Sequence, residues 1–232
     1  MCIAIVGLGR IGTGLALLLA RSDQDVIVAD RSPSKARTVA TSYPRITAAP
    51  TITRGVSEAD VVIPAIPFAA LAGFIDEHAA QLAGKTLIDP TNPVSFDRHG
   101  PTARLVGDNE SGGTVIAAHL PTGVAYAKAF GTLGADTLVT AAGTEPRTAS
   151  FYVADSTATA AVVEELIRAA GYDPIPAGDI ESSADIELQG ALHQYGGIGG
   201  TITGPAARAA AARARHAYPE RDTGIDVRGQ RK

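Results

Sequence analysis

A glycine-rich loop follows directly on an apolar stretch at the start of the chain, and this order constrains the fold more than any other feature. Residues 2–6 read Cys-Ile-Ala-Ile-Val, and residues 7–12 read Gly-Leu-Gly-Arg-Ile-Gly. A G-x-G-x-x-G motif between a buried strand and a helix is the fingerprint of a dinucleotide-binding Rossmann fold. The residues after Gly12 have the apolar pattern of such a helix. The sequence therefore predicts a strand, a tight turn and a helix that together bind a dinucleotide.

The three glycines of this loop have different predicted tasks. Gly7 permits the tight turn out of the strand, Gly9 lets the backbone approach a pyrophosphate, and Gly12 lets the helix pack closely on the sheet. The phosphates would lie on the free amides at the positive end of the helix. The alternative is a glycine-rich turn that binds no ligand, which the strand and helix patterns on its two sides disfavour.

An acidic and a basic residue stand side by side where a second apolar stretch ends. Asp30 lies eighteen positions after Gly12, close to the ~20 that the fingerprint expects for the residue that contacts the ribose. An acid there accepts hydrogen bonds from the ribose of NAD, whereas an arginine such as Arg31 holds the 2′-phosphate of NADP. Lys35 could add a second charge for that phosphate, or be an ordinary surface lysine. The residues leave NAD and NADP open, and Ser32 is the expected N-cap of the next helix.

Strand and helix patterns alternate along most of the chain. The further strands are expected at 60–66, 85–89, 123–130, 151–154 and 172–176, and the further helices at 34–43, 68–82, 111–120 and 157–170. Alternation of this kind predicts an α/β fold, a Rossmann-like doubly wound parallel sheet with helices on both faces. Pro64 lies inside one strand pattern, although proline cannot donate a hydrogen bond to a neighbouring strand.

The composition changes after residue 178. Two helices are expected there, at 183–193 and 206–217, separated by the glycine-rich residues 196–200 and by Gly204-Pro205, which break helices. We therefore expect a small, mainly helical C-terminal part, through which the chain could form a homodimer. The expected parts are a dinucleotide-binding domain at 1–178, a helical part at 179–218 that completes the acceptor cleft, and a polar tail at 219–232.

Composition and charge give no reason to expect a nucleic-acid or membrane partner. The chain has 232 residues, 45% of them hydrophobic, and a formal net charge of -4. Its longest apolar stretch, 15–20, is far too short to span a bilayer.

Cys2 is the one cysteine, and the printed sequence opens on the first strand without a leader, so we expect a cytoplasmic protein. No spacing of His, Cys, Asp or Glu suggests a metal site.

The loops after the strands are expected to carry the chemistry, because an open α/β sheet binds its ligands at the carboxyl ends of its strands. Asn92 lies between two prolines in such a loop and could bond the nicotinamide amide or ribose, or be part of an ordinary turn. Phe130 could wall a flat ring or belong to the core. If the substrate is a carbonyl or an imine, His193 or Tyr195 would be the candidate proton donors. A surface position on a helix is the plainer interpretation of His193.

Several segments recur in the order found in one known family. They are V-G-L-G-R-I-G at 6–12, the pair Asp30-Arg31 with Lys35, I-D-P-T-N-P-V at 88–94, A-K-A-F-G-T-L-G-A at 127–135 and F-Y-V-A-D at 151–155. Over about residues 1–195, the sequence resembles the deazaflavin (coenzyme F420)-dependent NADP reductases. The resemblance implies an NADP-binding Rossmann domain and a cleft for a deazaflavin, a flavin or another flat acceptor. Hydride would pass directly between stacked rings, so the protein aligns them and excludes water.

The resemblance also implies which residues contact the cofactor. They are Leu8, Gly9, Arg10 and Ile11 for the phosphates, Arg31 and Lys35 for the ribose phosphate, and Ile66, Pro67, Asn92 and Ala129 near the nicotinamide. The chain departs from the family at Asp30, where those reductases have a small polar residue, and at Gly131, where they often have Asn or His. Two alternatives therefore stay open: a reductase of a small carbonyl or imine intermediate, and a dinucleotide-binding regulatory module without catalysis.

Overall fold

The central element of the fold is an eight-stranded sheet, seen in a computed structural model that describes residues 1–98 and 100–217. The strands are β1 Cys2–Val6, β2 Asp25–Ala29, β3 Ile46–Ala48, β4 Val61–Pro64, β5 Thr86–Asp89, β6 Val94–Asp97, β7 Gly100–Arg104, β8 Ala125–Lys128, β9 Ala149–Ala154 and β10 Asp173–Gly178. β6 and β7 pair with each other as a separate hairpin, and the sheet order of the others is β3-β2-β1-β4-β5-β8-β9-β10.

The predicted doubly wound Rossmann-like sheet is confirmed, with one difference at its edge. In the sheet order, the first six strands, β3, β2, β1, β4, β5 and β8, are parallel to their neighbours. β9 and β10 are also parallel to each other, but β8 and β9 pair antiparallel. A parallel connection normally crosses the sheet through a long helix. The one helix between β8 and β9 has six residues and is about 9 Å long, so the chain re-enters the sheet from the same edge.

Helices cover both faces of the sheet. Their bounds are α1 Arg10–Ala20, α2 Pro33–Ala40, α3 Ile52–Glu58, α4 Leu71–Glu77, α5 Ala79–Leu82, α6 Gly112–His119, α7 Ala135–Thr140, α8 Thr157–Ala169, α9 Ser183–Ile186 and α10 Gly204–Ala217, with short 3₁₀ turns at Phe68–Ala70 and Ile180–Ser182. Within the described ranges, no helix is both long and apolar enough to cross a membrane.

The first strand shows why the sheet must be covered on both sides. Ile3 and Ile5 pack in one cluster with residues of α1, α2 and α8, while Ala4 and Val6 pack in another with residues of α3 to α6. Alternate residues of a strand point to opposite faces, so an apolar strand such as this one buries both. The parallel pairing of the strands places the carboxyl ends of β1, β4, β5 and β8 side by side at one edge of the sheet.

The expected helix at 183–193 is wrong beyond its first turn. α9 ends at Ile186, and a series of turns occupies the next residues. A Cβ atom on Gly190 would lie 2.3 Å from the Ala184 carbonyl oxygen, and one on Gly196 would lie 2.1 Å from the Gly190 carbonyl oxygen. The glycines therefore let backbone pack on backbone. They build a compact coil at 187–200, which we call the C-terminal coil, where a regular helix could not close so tightly.

The last helix begins two residues earlier than expected. Gly204-Pro205 opens α10 and does not precede it as a break, which suits the preference of proline for the first turn of a helix. Ala207, Ala210 and Ala214 lie on one face of α10 and pack on residues of β9 and β10. The expected polar tail at 219–232 lies outside the described residues.

Candidate active site

The glycine loop turns from β1 into α1 at the edge where the parallel strands end. Gly7 has a φ of +88°, a conformation that favours glycine. A Cβ atom on Gly12 would lie 1.9 Å from the Gly7 carbonyl oxygen, whereas one on Gly9 would meet no heavy atom within 4 Å. The fold therefore requires Gly7 and Gly12, but it leaves the space in front of Gly9 open to a ligand.

Asp30 fastens the glycine loop to the end of β2. Its Oδ2 accepts a hydrogen bond from the Leu8 N–H at 2.8 Å, and its Oδ1 accepts one from the Ser32 N–H at 2.9 Å. Burial by itself would raise the pKa of Asp30, but these two N–H groups and the charges of Lys35 and Arg31 bring it below its ordinary value. Asp30 is therefore an ionised carboxylate, and one of its oxygens holds the glycine loop while the other holds the turn into α2.

Two positive side chains lie beside this carboxylate. Arg31 is exposed and has no ion-pair partner in the part of the chain that the structure describes. The Lys35 Nζ lies 3.9 Å from the Asp30 Oδ2, and its side chain is half exposed. Ser32 is the N-cap residue of α2, but its hydroxyl pairs with that of Ser34 and caps no helix N–H. Two cations thus remain available to an anionic ligand at the end of β2.

A cleft of about 540 Å³ opens next to the glycine loop, within the ~300–1,000 Å³ usual for small-molecule sites. It lies between the carboxyl edge of the sheet and the C-terminal coil. Its apolar lining includes Ile66, Phe68, Pro90, Val94, Leu133 and Leu188. Seven residues singled out from the sequence also line it, namely Arg10, Ile11, Ile66, Pro67, Asn92, His193 and Tyr195. Ala129 and Phe130 are buried and do not line the cleft.

Asn92 joins three segments around the cleft. Its Nδ2 donates to the Gly131 carbonyl oxygen at 2.9 Å, and its Oδ1 accepts from the Leu188 N–H at 2.6 Å. Both ends of the carboxamide therefore already have a protein partner. Asn92 ties the loop after β5 to the loop after β8 and to the C-terminal coil, so its predicted contact with the cofactor would have to be made in addition to these two bonds.

Residue 131 is a glycine here, whereas the family that the sequence resembles often has Asn or His at this position. The geometry of the cleft explains why a glycine is needed. A Cβ atom at this position would lie 2.9 Å from the Pro90 carbonyl oxygen and 3.6 Å from the Asn92 Nδ2. The two loops approach each other so closely that a side chain at residue 131 would push them apart. The missing side chain therefore belongs to the closed arrangement of Asn92.

His193 is held by backbone groups on both sides of its ring. Its Nε2 lies 3.1 Å from the Gly131 carbonyl oxygen, and its Nδ1 accepts from the Tyr195 N–H at 2.9 Å. Burial lowers the pKa of His193, and the Gly131 carbonyl only partly opposes this. The ring is therefore a neutral imidazole that donates to a carbonyl, an arrangement unsuited to delivering a proton. Tyr195 is 63% exposed and lies at the mouth of the cleft.

A buried charge cluster lies at the end of β5 and β8, and the sequence analysis missed it. The Lys128 Nζ lies 3.0 Å from the Asp89 Oδ2 and 3.5 Å from the Glu187 Oε1, and it donates to the Thr91 carbonyl oxygen at 2.6 Å. All three charged residues are at most 2% exposed. The signal for Lys128 and Asp89 was present, because a charged residue that ends an apolar strand needs a buried partner. Glu187 carried no such signal.

Further hydrogen bonds stabilise the two carboxylates of this cluster. Both Glu187 oxygens accept N–H bonds from Gly112 and Gly113 at the start of α6, at 3.1 and 2.9 Å. The Tyr126 hydroxyl donates to the Asp89 Oδ2 at 2.9 Å. Burial, followed by the charge of Asp89, raises the pKa of Tyr126 well above its ordinary value, so this hydroxyl stays a donor. The cluster joins the sheet to the C-terminal coil beneath the cleft.

Comparison with known families identifies the segment that carries the glycine loop. Residues 2–93 match the profile of the family described as NADP oxidoreductase, coenzyme F420-dependent. This segment is similar to that family. The match extends from β1 through the Asn92 loop and confirms the resemblance for this part of the chain. Together with the Arthrobacter neighbour described below, it confirms the predicted class, an NADP-dependent oxidoreductase.

Solved structures with the same fold include reductases. A hypothetical protein from Sinorhizobium meliloti aligns over 88% of this chain and 96% of its own, with 22% identity and a TM-score of 0.75. A protein from Arthrobacter sp. FB24, provisionally assigned as an F420-dependent NADP reductase, aligns over 77% of this chain and 85% of its own, with 26% identity and a TM-score of 0.66. No curated protein sequence matches the chain.

A reductive aminase from Aspergillus terreus, solved with NADPH, shares the fold but is a longer protein. It aligns over 78% of this chain but only 56% of its own, with 20% identity and a TM-score of 0.56. At this identity the likeness shows the fold alone. The chain thus spans just over half the length of that enzyme.

Proposed function

We propose that this protein transfers hydride between NADPH and a flat conjugated acceptor of the deazaflavin or flavin type. The observation that carries the proposal is the cleft beside the glycine loop, which is apolar and in which His193 is tied to backbone groups on both sides. Hydride transfer between stacked rings needs alignment and exclusion of water more than a protein acid. The assignment of the Arthrobacter protein as an F420-dependent NADP reductase supports the same acceptor class.

The residues around the glycine loop fit a dinucleotide with a 2′-phosphate. The pyrophosphate would lie in the open space before Gly9, at the start of α1, where helix amides attract anions. Arg31 and Lys35 would hold the 2′-phosphate, and NADPH, when bound, would supply the hydride. Asp30 resembles the acid of an NAD site in sequence, but its two oxygens already accept hydrogen bonds from the Leu8 and Ser32 N–H groups. Its ion pair with Lys35 offsets the negative charge that would otherwise repel a phosphate.

Replacing Arg31 with Ala is expected to weaken NADPH binding about 10- to 100-fold, because a charge-assisted hydrogen bond contributes ~1.5–3 kcal/mol. Affinity for NADH, which lacks the 2′-phosphate, should stay the same. Calorimetric titration of both dinucleotides measures the two affinities. Arg37→Ala is the matched control, since Arg37 is also exposed on α2 but lies on another side of that helix than Lys35. Unchanged NADPH affinity in Arg31→Ala would contradict the phosphate assignment.

Turnover with a set of acceptors tests the proposed reaction itself. Purified protein is mixed with NADPH and, in turn, with a deazaflavin, a flavin, a cyclic imine and a small ketone. We expect loss of the reduced-nicotinamide absorbance with the deazaflavin or the flavin. Turnover with the imine or ketone alone would favour the second candidate, for which the exposed Tyr195 hydroxyl at the cleft mouth is the available proton donor. Tight NADPH binding without turnover of any acceptor would indicate a regulatory module.

A further inference from the structure

One hydroxyl group in the cleft wall has no hydrogen-bond partner. Thr91 lines the cleft and is 7% exposed, and its Oγ1 is buried with no partner in the described part of the chain. A buried hydroxyl usually finds a partner, because leaving it without one costs its lost hydration. An unpaired polar atom just beneath the wall of a binding cleft becomes available to a ligand when its side chain rotates about the Cα–Cβ bond.

The backbone on both sides of this hydroxyl is fixed. The Thr91 N–H donates to the Asp89 Oδ1 at 2.7 Å, and the Thr91 carbonyl oxygen accepts from the Lys128 Nζ at 2.6 Å. The next residue, Asn92, is held by Gly131 and Leu188. The buried charge cluster thus positions Thr91 from below. A group held in this way loses little freedom when it binds, which is the condition for an effective contact.

The other polar side chains of the cleft are engaged or lie at its mouth. Arg10 pairs with Asp136 of α7, and the Asn92 and His193 side chains have protein partners. Gln189 and Tyr195 are exposed. Thr91 is therefore the buried polar side chain of the lining that remains free for a ligand within the described residues.

We propose that the Thr91 hydroxyl binds the amide edge of a ligand in this cleft, an inference that rests on the proposed function. A hydroxyl both donates and accepts, so it matches a neighbouring carbonyl and N–H. Two ligands present such an edge: the nicotinamide carboxamide of NADPH, and the imide edge of a deazaflavin or flavin. From the sequence, Asn92 was a candidate for a contact with the nicotinamide amide or ribose. The geometry assigns it to the residue before.

The test compares two threonines that each have a buried hydroxyl without a hydrogen-bond partner. Thr132 is also buried with an unpaired Oγ1, but it does not line the cleft. Thr91→Val and Thr132→Val each replace an unpaired hydroxyl with a methyl group of the same shape, so both should keep or raise the wild-type thermal midpoint. Thr91→Ser keeps the hydroxyl and serves as the rescue variant. The readouts are the Kd for NADPH by calorimetry and the KM and kcat for the deazaflavin.

We expect Thr91→Val to raise either the Kd for NADPH or the KM for the acceptor about tenfold, with Thr91→Ser and Thr132→Val near wild type. A raised Kd for NADPH identifies the nicotinamide as the partner, and a raised acceptor KM alone identifies the acceptor. Thr91→Val equal to wild type in both constants overturns the inference and leaves the proposed function intact. Equal losses in Thr91→Val and Thr132→Val, or no rescue by serine, overturn it as well. Absence of NADPH binding by the wild-type protein overturns the proposed function, and the inference falls with it.

Discussion

Replacing Lys128 with Met is expected to lower the free energy of unfolding by about 3–5 kcal/mol, the usual cost of removing one partner from a buried ion pair. Methionine fills a similar volume, so the loss would come from charge and not from a cavity. Without the ammonium group, Asp89 and Glu187 would face each other in a site that is almost inaccessible to water. Urea denaturation followed by circular dichroism measures the change.

The control for this substitution is an ion pair on the surface. Arg54 and Glu58 pair four residues apart on α3, with side chains 63% and 41% exposed, and such pairs contribute less than about 1 kcal/mol. Arg54→Met should therefore barely move the urea midpoint. If Lys128→Met costs no more than Arg54→Met, the charge cluster does not hold the sheet and the C-terminal coil together.

Replacing Gly9 with Ala is expected to weaken NADPH binding tenfold or more, about 1.4 kcal/mol or above, while the protein keeps its stability. Gly9 has a φ of -69°, which alanine adopts freely, and its added Cβ would touch nothing in the free protein. The methyl group would instead occupy the space where the backbone approaches the pyrophosphate. Thermal unfolding and calorimetric titration of the same sample separate the two effects.

A second glycine serves as the control. A Cβ atom on Gly73 of α4 would also meet nothing within 4 Å, but Gly73 lies away from the glycine loop in sequence and does not line the cleft. Gly73→Ala should stabilise the helix by roughly 0.5–1 kcal/mol and leave NADPH affinity unchanged. Equal NADPH affinities in Gly9→Ala and the wild type would show that the phosphates bind elsewhere.

Local patterns in the sequence were sufficient to predict the sheet and the glycine loop. An apolar stretch followed by glycines with fixed spacing describes a single strand, turn and helix, and the order of such units leaves few ways to wind a parallel sheet. The short elements were missed. α3 and α7 have seven and six residues, too few to show a helical period, and both strands of the hairpin β6–β7 are largely polar or contain proline.

The contacts of the candidate site could not be predicted, because their partners are distant in sequence. Asn92 was singled out, but its partners Gly131 and Leu188 lie 39 and 96 positions away. The glycines of the C-terminal coil were interpreted as helix breakers, since nothing local shows that Gly196 packs on the backbone of Gly190. The consequence for function is direct. The sequence placed the Asn92 loop at the cleft, and only the fold showed which of its atoms are already bonded.

The central claim is direct hydride transfer from NADPH to a flat acceptor in the cleft. The most direct measurement uses NADPH that carries deuterium at both positions of the transferring carbon, C4 of the nicotinamide, mixed in ordinary water with the protein and the deazaflavin acceptor. Mass spectrometry of the reduced acceptor then locates the label. We predict that one deuterium appears on the carbon of the deazaflavin that accepts the hydride. Label released to water, or NADPH that binds but is oxidised by neither the deazaflavin nor a flavin, would contradict the proposed function.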